Sequence, residues 1–213
     1  MTRSVQGVAT KRGDVRDWET KGTLKVGEND LPSHAALIKR QVDRSLEDEE
    51  TIRLARKVVS GRADKHDKRK SYVIAWGEHY ELPPRPELPE LMGDHAAMCE
   101  VMSLWNFWVT NVAYLEDPPD VDQFATVRYS LERRGGDCGW STVGLSALLK
   151  AVGFRNLRAR IVSTDGEFYE HVYAMVGVPK TRSTRLIALD PTVKGATPGW
   201  EFSRSRMVQD FIL

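Results

Sequence analysis

Arg134-Gly135-Gly136-Asp137-Cys138-Gly139-Trp140 opens directly into a helical pattern over residues 141–152, and its reading decides the fold. Leu145, Leu148, Leu149 and Val152 recur at helical spacing, and Gly153 supplies a C-terminal stop. Gly135 and Gly136 predict a tight turn before the helix, and Asp137 a cap on its first turn. Cys138, one of two cysteines, therefore falls on the first turn. There the positive end of the helix dipole favours the thiolate, the form that attacks carbonyls. The competing reading of a single such residue is a small buried hydrophobe.

Beyond Gly153 the period changes from helix to strand. Leu157, Ala159 and Ile161 alternate with Asn156, Arg158 and Arg160; Asp165-Gly166 marks a turn, and residues 168–176 alternate again. A hairpin is expected, with His171 in its second strand on the face of Tyr169, Tyr173 and Met175. A further short strand at 185–189 ends in Asp190-Pro191-Thr192. Cysteine at a helix start, histidine within a strand and aspartate at the end of the next strand form a sequence with mechanical sense. A thiol nucleophile needs a base, and the base needs a third group to fix its tautomer. Taken singly, His171 reads as a satisfied strand histidine and Asp190 as a turn former; in this order the three read as a triad.

Gly136-Asp137-Cys138, the helix from Leu145 to Phe154, His171-Val172-Tyr173 and Ala188-Leu189-Asp190-Pro191-Thr192 together resemble the transglutaminase-like cysteine protease superfamily. The resemblance covers residues 104–192. With the Tyr114-Leu115-Glu116-Asp117-Pro118-Pro119 segment, it looks most like members encoded by bacteriophages and prophages. It implies an α+β fold with a papain-like core, a nucleophile helix packed on an antiparallel sheet, and catalysis by Cys138, His171 and Asp190. Where many bacterial and phage relatives carry an acidic residue after the cysteine, this chain has Gly139-Trp140. Superfamily members include peptidases, amidases, cross-linkers and inactive scaffolds, so the fold alone does not select the reaction.

For the oxyanion hole, the backbone N–H of Cys138 is the natural first donor. Gln123, Trp105 and Asn106 are candidates for the second, Trp105 being also a natural core residue. Trp140 reads equally as a groove wall and as packing.

The 213 residues suffice for one core with appended segments, read as an N-terminal arm (1–30), a helical extension (31–92), the catalytic core (93–200) and a tail (201–213). In the extension, Pro32-Ser33 starts a helix through Leu46, and Ser45 with Asp48 a capping-box-like start for a second helix. Residues 61–70 read as a charged loop, and Pro83, Pro84, Pro86 and Pro89 as an extended strap. Cys99 lies in an apolar helical pattern and reads as a core thiol.

Thirty-one basic and 30 acidic residues nearly cancel, so no field attracts nucleic acid or an anionic membrane. No apolar run reaches the roughly 18 residues of a spanning helix, and the start lacks a secretion signal, so synthesis in the cytoplasm of a bacterial host is expected. Two cysteines make no disulfide framework, and the scattered histidines give no metal spacing; neither metal nor cofactor is expected.

The function these observations favour is a cysteine-dependent peptidase or amidase acting through a thioester on a protein or peptide substrate, associated with a phage. The alternative is a virion or assembly protein that uses the same fold to dock other virion subunits. The arm, the strap and the Arg204–Leu213 tail would then be the parts that neighbours clasp.

Overall fold

The computed structural model describes residues 18–21, 30–66, 71–73, 79–81, 89–117, 122–201 and 205–213. The chain is mixed α+β: five helices and ten strands are described, four of the strands forming one antiparallel sheet. No helix among the described residues is long and apolar enough to cross a membrane.

At the centre lies α5 (Cys138–Ala151), every residue of which from Gly139 to Leu149 is buried. The sequence pattern shows one apolar stripe, but small Gly139, Ser141, Gly144, Ser146 and Ala147 let neighbours close over the rest. One neighbour is the sheet, ordered β10 (Met207–Ile212), β7 (Leu157–Ser163), β8 (His171–Val178) and β9 (Arg185–Leu189). Val172, Ala174 and Val176 of β8 share the main core with α5, whereas Tyr173 and Met175 join Val162 and Ala188 in a second cluster. Strand β8, central and covered on both faces, is apolar nearly throughout, as such strands are.

The hairpin stands where the alternation places it, with Ile161 opposite Val172 and Arg158 opposite Met175. Its start differs. Val162 is paired with His171 and also accepts a hydrogen bond from the Glu170 N–H (3.1 Å), so two residues stand opposite one. This bulge breaks the alternation: Tyr169, expected on the face of Tyr173 and Met175, packs into the main core instead.

Helix α1 (Leu31–Glu47) packs on α5 and gives Leu31, Ile38 and Val42 to the same core; α2 (Glu49–His66) adds Ala55. Ser45, expected to cap the second helix, instead joins α1 to α4 (Val127–Arg133): its hydroxyl accepts the Val127 N–H (3.1 Å) and donates to the Gln41 carbonyl (2.7 Å). Asp48 takes the capping role alone, accepting from the Glu50 N–H at 3.1 Å and the Thr51 hydroxyl at 3.3 Å. Gly61 does not stop α2, which runs six residues into the expected loop; Arg62 to Lys65 offer no proline and no helix-breaking pair. Residues 67–70 and most of the proline-rich strap lie outside the described residues, as does most of the N-terminal arm.

The remaining part of the arm is β1 (Trp18–Lys21), antiparallel to β5 (Asp122–Ala125) with Trp18 opposite Ala125. Helix α3 (Pro89–Asn111) spans the expected boundary at residue 92 and buries Val101, Leu104, Trp105 and Trp108. The tail forms β10 on β7, held by Arg160 bridging Asp210 (2.7 and 2.9 Å) and Glu201 (2.6 Å). Cys99, read as a core thiol, is partly buried and lies 3.6 Å from His95 Nδ1.

Close approach of α3 to α5 depends on Gly144, where a Cβ would fall inside the Trp108 ring. Trp108 is completely buried and its indole N–H donates to Ser141 Oγ (3.3 Å), so the ring has nowhere to go. Gly→Ala in a helix ordinarily gains up to about 1 kcal/mol. Gly144→Ala is expected to lose about 1–3 kcal/mol through overpacking, read as a lower urea midpoint.

Candidate active site

Three short segments converge on the N-terminus of α5. Strand β6 (Gly135–Gly136) runs parallel to β4 (Ala113–Tyr114), which brings the chain to Asp137. Asp137 is the N-cap, its Oδ1 accepting the Trp140 N–H at 3.0 Å, as the residue type suggests. The cap sets Cys138 on the first turn. Beside it, a Cβ on Gly139 would stand 2.8 Å from the Phe124 ring, so glycine is what lets β5 close against the helix start.

His171 and Asp190 meet across the end of the sheet. His171 Nε2 lies 2.7 Å from Asp190 Oδ2. Asp190 is 1% exposed, and its other oxygen accepts the Thr192 N–H (3.1 Å) and hydroxyl (2.6 Å). Those bonds compensate the buried carboxylate and fix its plane. Because a carboxylate only accepts, Nε2 carries the proton and Nδ1 is left with the lone pair.

Cys138 and His171 line one cleft that opens to solvent. The Val172 backbone N–H faces the thiol and favours its anion, but burial and the nearby charge of Asp137 outweigh it. The thiol stays well above its usual pKa, with Asp122 and Asp190 adding to the effect. The helix start alone predicts the opposite, a thiol biased toward the anion. The difference lies first in burial and then in the surrounding carboxylates, neither of which sequence spacing reveals. At neutral pH Cys138 is therefore held as the thiol.

Asp117, Asp122 and Asp137 bring their carboxylates within 4.8 Å of one another. Burial raises Asp117 to about 6, and burial together with the charge of Asp117 holds Asp137 well above the ordinary 3.8. The two carboxyls hydrogen-bond each other, an arrangement that retains a proton.

Of the expected oxyanion and groove residues, Gln123 lies on β5 beside the site, but Asp122 and Phe124 line the cleft in its place. Alternation along the strand separates them. Trp140 is 3% exposed and packs against Tyr129 (ring centroids 5.4 Å apart), behind the helix start rather than in the cleft. Trp105 and Asn106 are buried in α3 and do not line the cleft.

Residues that the sequence reading passed over complete the wall. Helix α1 contributes His34 and Ile38, β5 contributes Asp122 and Phe124, and Tyr169 and Glu170 precede His171. His34 is 4% exposed; its Nε2 lies 3.1 Å from Asp122 Oδ2 and its Nδ1 3.3 Å from the Asp30 carbonyl. One signal was available: His34 occupies the apolar stripe of Leu31, Ala35, Ile38 and Val42, an unusual place for an imidazole.

The chain matches no protein-family model, no curated protein and no solved structure.

A carboxyl pair with raised pKa holds, in the fold, a proton that the unfolded chain releases. The contribution of Asp117 to stability is complete below about 3.8 and is lost as pH rises through about 6. Asp137→Asn retains a capping side chain and abolishes the pair. The fall in urea midpoint between about pH 4 and pH 7 is therefore expected to be shallower in Asp137→Asn than in the wild type. The same substitution removes a charge beside Cys138, so iodoacetamide labelling of this thiol should shift to lower pH.

Proposed function

We propose that the protein is a cysteine-dependent acyl-transfer enzyme, a peptidase or amidase with a transglutaminase-like, papain-like core. The observation that carries this reading is the His171–Asp190 hydrogen bond of 2.7 Å at the wall of the cleft into which α5 sets Cys138. The residue-level resemblance to transglutaminase-like enzymes supports it, and the same resemblance is the ground for a phage association.

In the reaction, Cys138 Sγ attacks the carbonyl carbon of an amide while its proton passes to His171 Nδ1. Asp190 holds the imidazole by Nε2–H and stabilises the cation that forms. The oxyanion gains the backbone N–H groups at the start of α5. Collapse of the tetrahedral intermediate breaks the C–N bond, and His171 returns the proton to the departing amine. A thioester remains on Cys138. Water, deprotonated by His171, then releases the acid and restores the thiol. Proton transfer coupled to attack suits a thiol whose pKa the site holds high, since the thiolate need not accumulate beforehand.

A second reading, a docking module for an assembly, draws on β10. It is the outer strand of the sheet, and Val208 and Ile212 are exposed on it, Ile212 by 76%.

The test is cleavage of a defined peptide library, read by mass spectrometry as new termini. Wild-type protein is expected to generate them, Cys138→Ala none, and His171→Gln about 10²–10⁴-fold fewer per unit time. Equal cleavage by Cys138→Ala, or none by the wild type, overturns the enzyme reading. In the latter case the docking reading predicts unchanged assembly by Cys138→Ala.

A further inference from the structure

The cleft carries two histidine–carboxylate pairs, and the proposed chemistry uses one. His171–Asp190 serves the thiol. His34–Asp122 lies on the opposite elements, α1 and β5, and faces the same space. Asp122, Asp137 and Glu170 all line the cleft, and no lysine or arginine is found among its described lining residues. Glu170, an exposed residue, accepts from the Thr164 N–H (3.2 Å) and hydroxyl through one of its oxygens. Asp137 is committed to capping. Asp122 is less exposed than Glu170, with a side-chain exposure of 18%, and His34 takes up one of its oxygens. A carboxylate offers about four acceptor positions, so the pair leaves Asp122 able to accept from a ligand.

From these observations we infer that the cleft binds acyl donors bearing a cationic side chain, lysine or arginine, beside the scissile carbonyl, with Asp122 as the cation anchor. This inference rests on the acyl-transfer reading of the same cleft. Ile38, Phe124 and Ile161 form an apolar wall on which the methylenes of such a side chain lie, while its head group reaches Asp122. His34 is the positioning residue. Its Nε2 lies 3.1 Å from Asp122 Oδ2, and its ring lies edge-on to Phe124 with centroids 6.1 Å apart. A neutral side chain would bury the Asp122 carboxylate against apolar groups without a new partner, and an acidic one would add repulsion. Helix α1 thus acts as a specificity element, supplying both part of the wall and the residue that aims the anchor.

Charge preference at Cys138 can be measured without turnover. The probes are three methanethiosulfonates: the trimethylammonium-ethyl cation, the neutral methyl reagent and the sulfonatoethyl anion. Each transfers its thio group to the cysteine as a disulfide, expelling methanesulfinate, while the thiol proton goes to solvent. Modification is read at the Cys138 peptide, with free 2-mercaptoethanol as reference. A focused negative field raises local cation concentration by about 10–10³-fold. The cation-to-anion rate ratio at Cys138 is therefore expected to exceed the reference ratio at least about tenfold and to fall severalfold in Asp122→Asn. Should that variant not fold, added salt should reduce the wild-type ratio in its place. A ratio equal to the reference, a ratio insensitive to both Asp122→Asn and salt, or no modification by any reagent overturns the subsite. Peptide turnover separates the two proposals. Cleavage without preference for lysine or arginine over norleucine and citrulline sinks the subsite alone. An intact charge preference without any cleavage sinks the acyl-transfer reading alone.

Discussion

Burial of α5 on all sides is the constraint on which the rest of the structure depends. A helix enclosed by α1, α2, α3 and β8 cannot slide or rotate without opening the main core. Its first residue, Cys138, is therefore placed as firmly as a core side chain although it borders a cleft. The enclosure needs small residues where neighbours come close: Gly144 under Trp108, Gly139 against Phe124. These glycines are the means by which close packing fixes the position of Cys138.

The same enclosure determines the electrostatics. A thiol at the start of an exposed helix would lean toward the anion; here burial and surrounding carboxylates push it the other way. Across the cleft stands His171, whose tautomer is set by Asp190, itself held by Thr192. In the proposed reaction, charge appears on the thiol only as its proton moves to His171.

Much of this was legible in the sequence because it is local. The α5 periodicity, the Asp165-Gly166 hairpin and the Asp190-Pro191-Thr192 turn are written in neighbouring residues, and they carry Cys138, His171 and Asp190 to their elements. What escaped is long-range. His34 is separated from Asp122 by 88 residues, and nothing in the spacing of either foretells their pairing. Gln123 and Asp122 differ by one position, and only the strand's orientation decides which side chain meets the cleft. The bulge at Glu170 reversed the face of Tyr169, a shift that alternation counting cannot detect. Ser45 was a plausible cap by sequence, but tertiary demand from the Val127 N–H took its hydroxyl.

The most direct test of the central claim is to trap the acyl-enzyme. Wild-type protein and Cys138→Ser would be mixed with an activated peptidyl ester, quenched in acid within milliseconds, and mapped by mass spectrometry. The account predicts an acyl adduct on the wild-type Cys138 peptide that hydroxylamine removes and that decays by hydrolysis at neutral pH. It predicts slower decay in His171→Gln, where the base that activates water is gone. An adduct on Cys99 instead, or a Cys138 adduct whose formation and decay ignore His171, would contradict it.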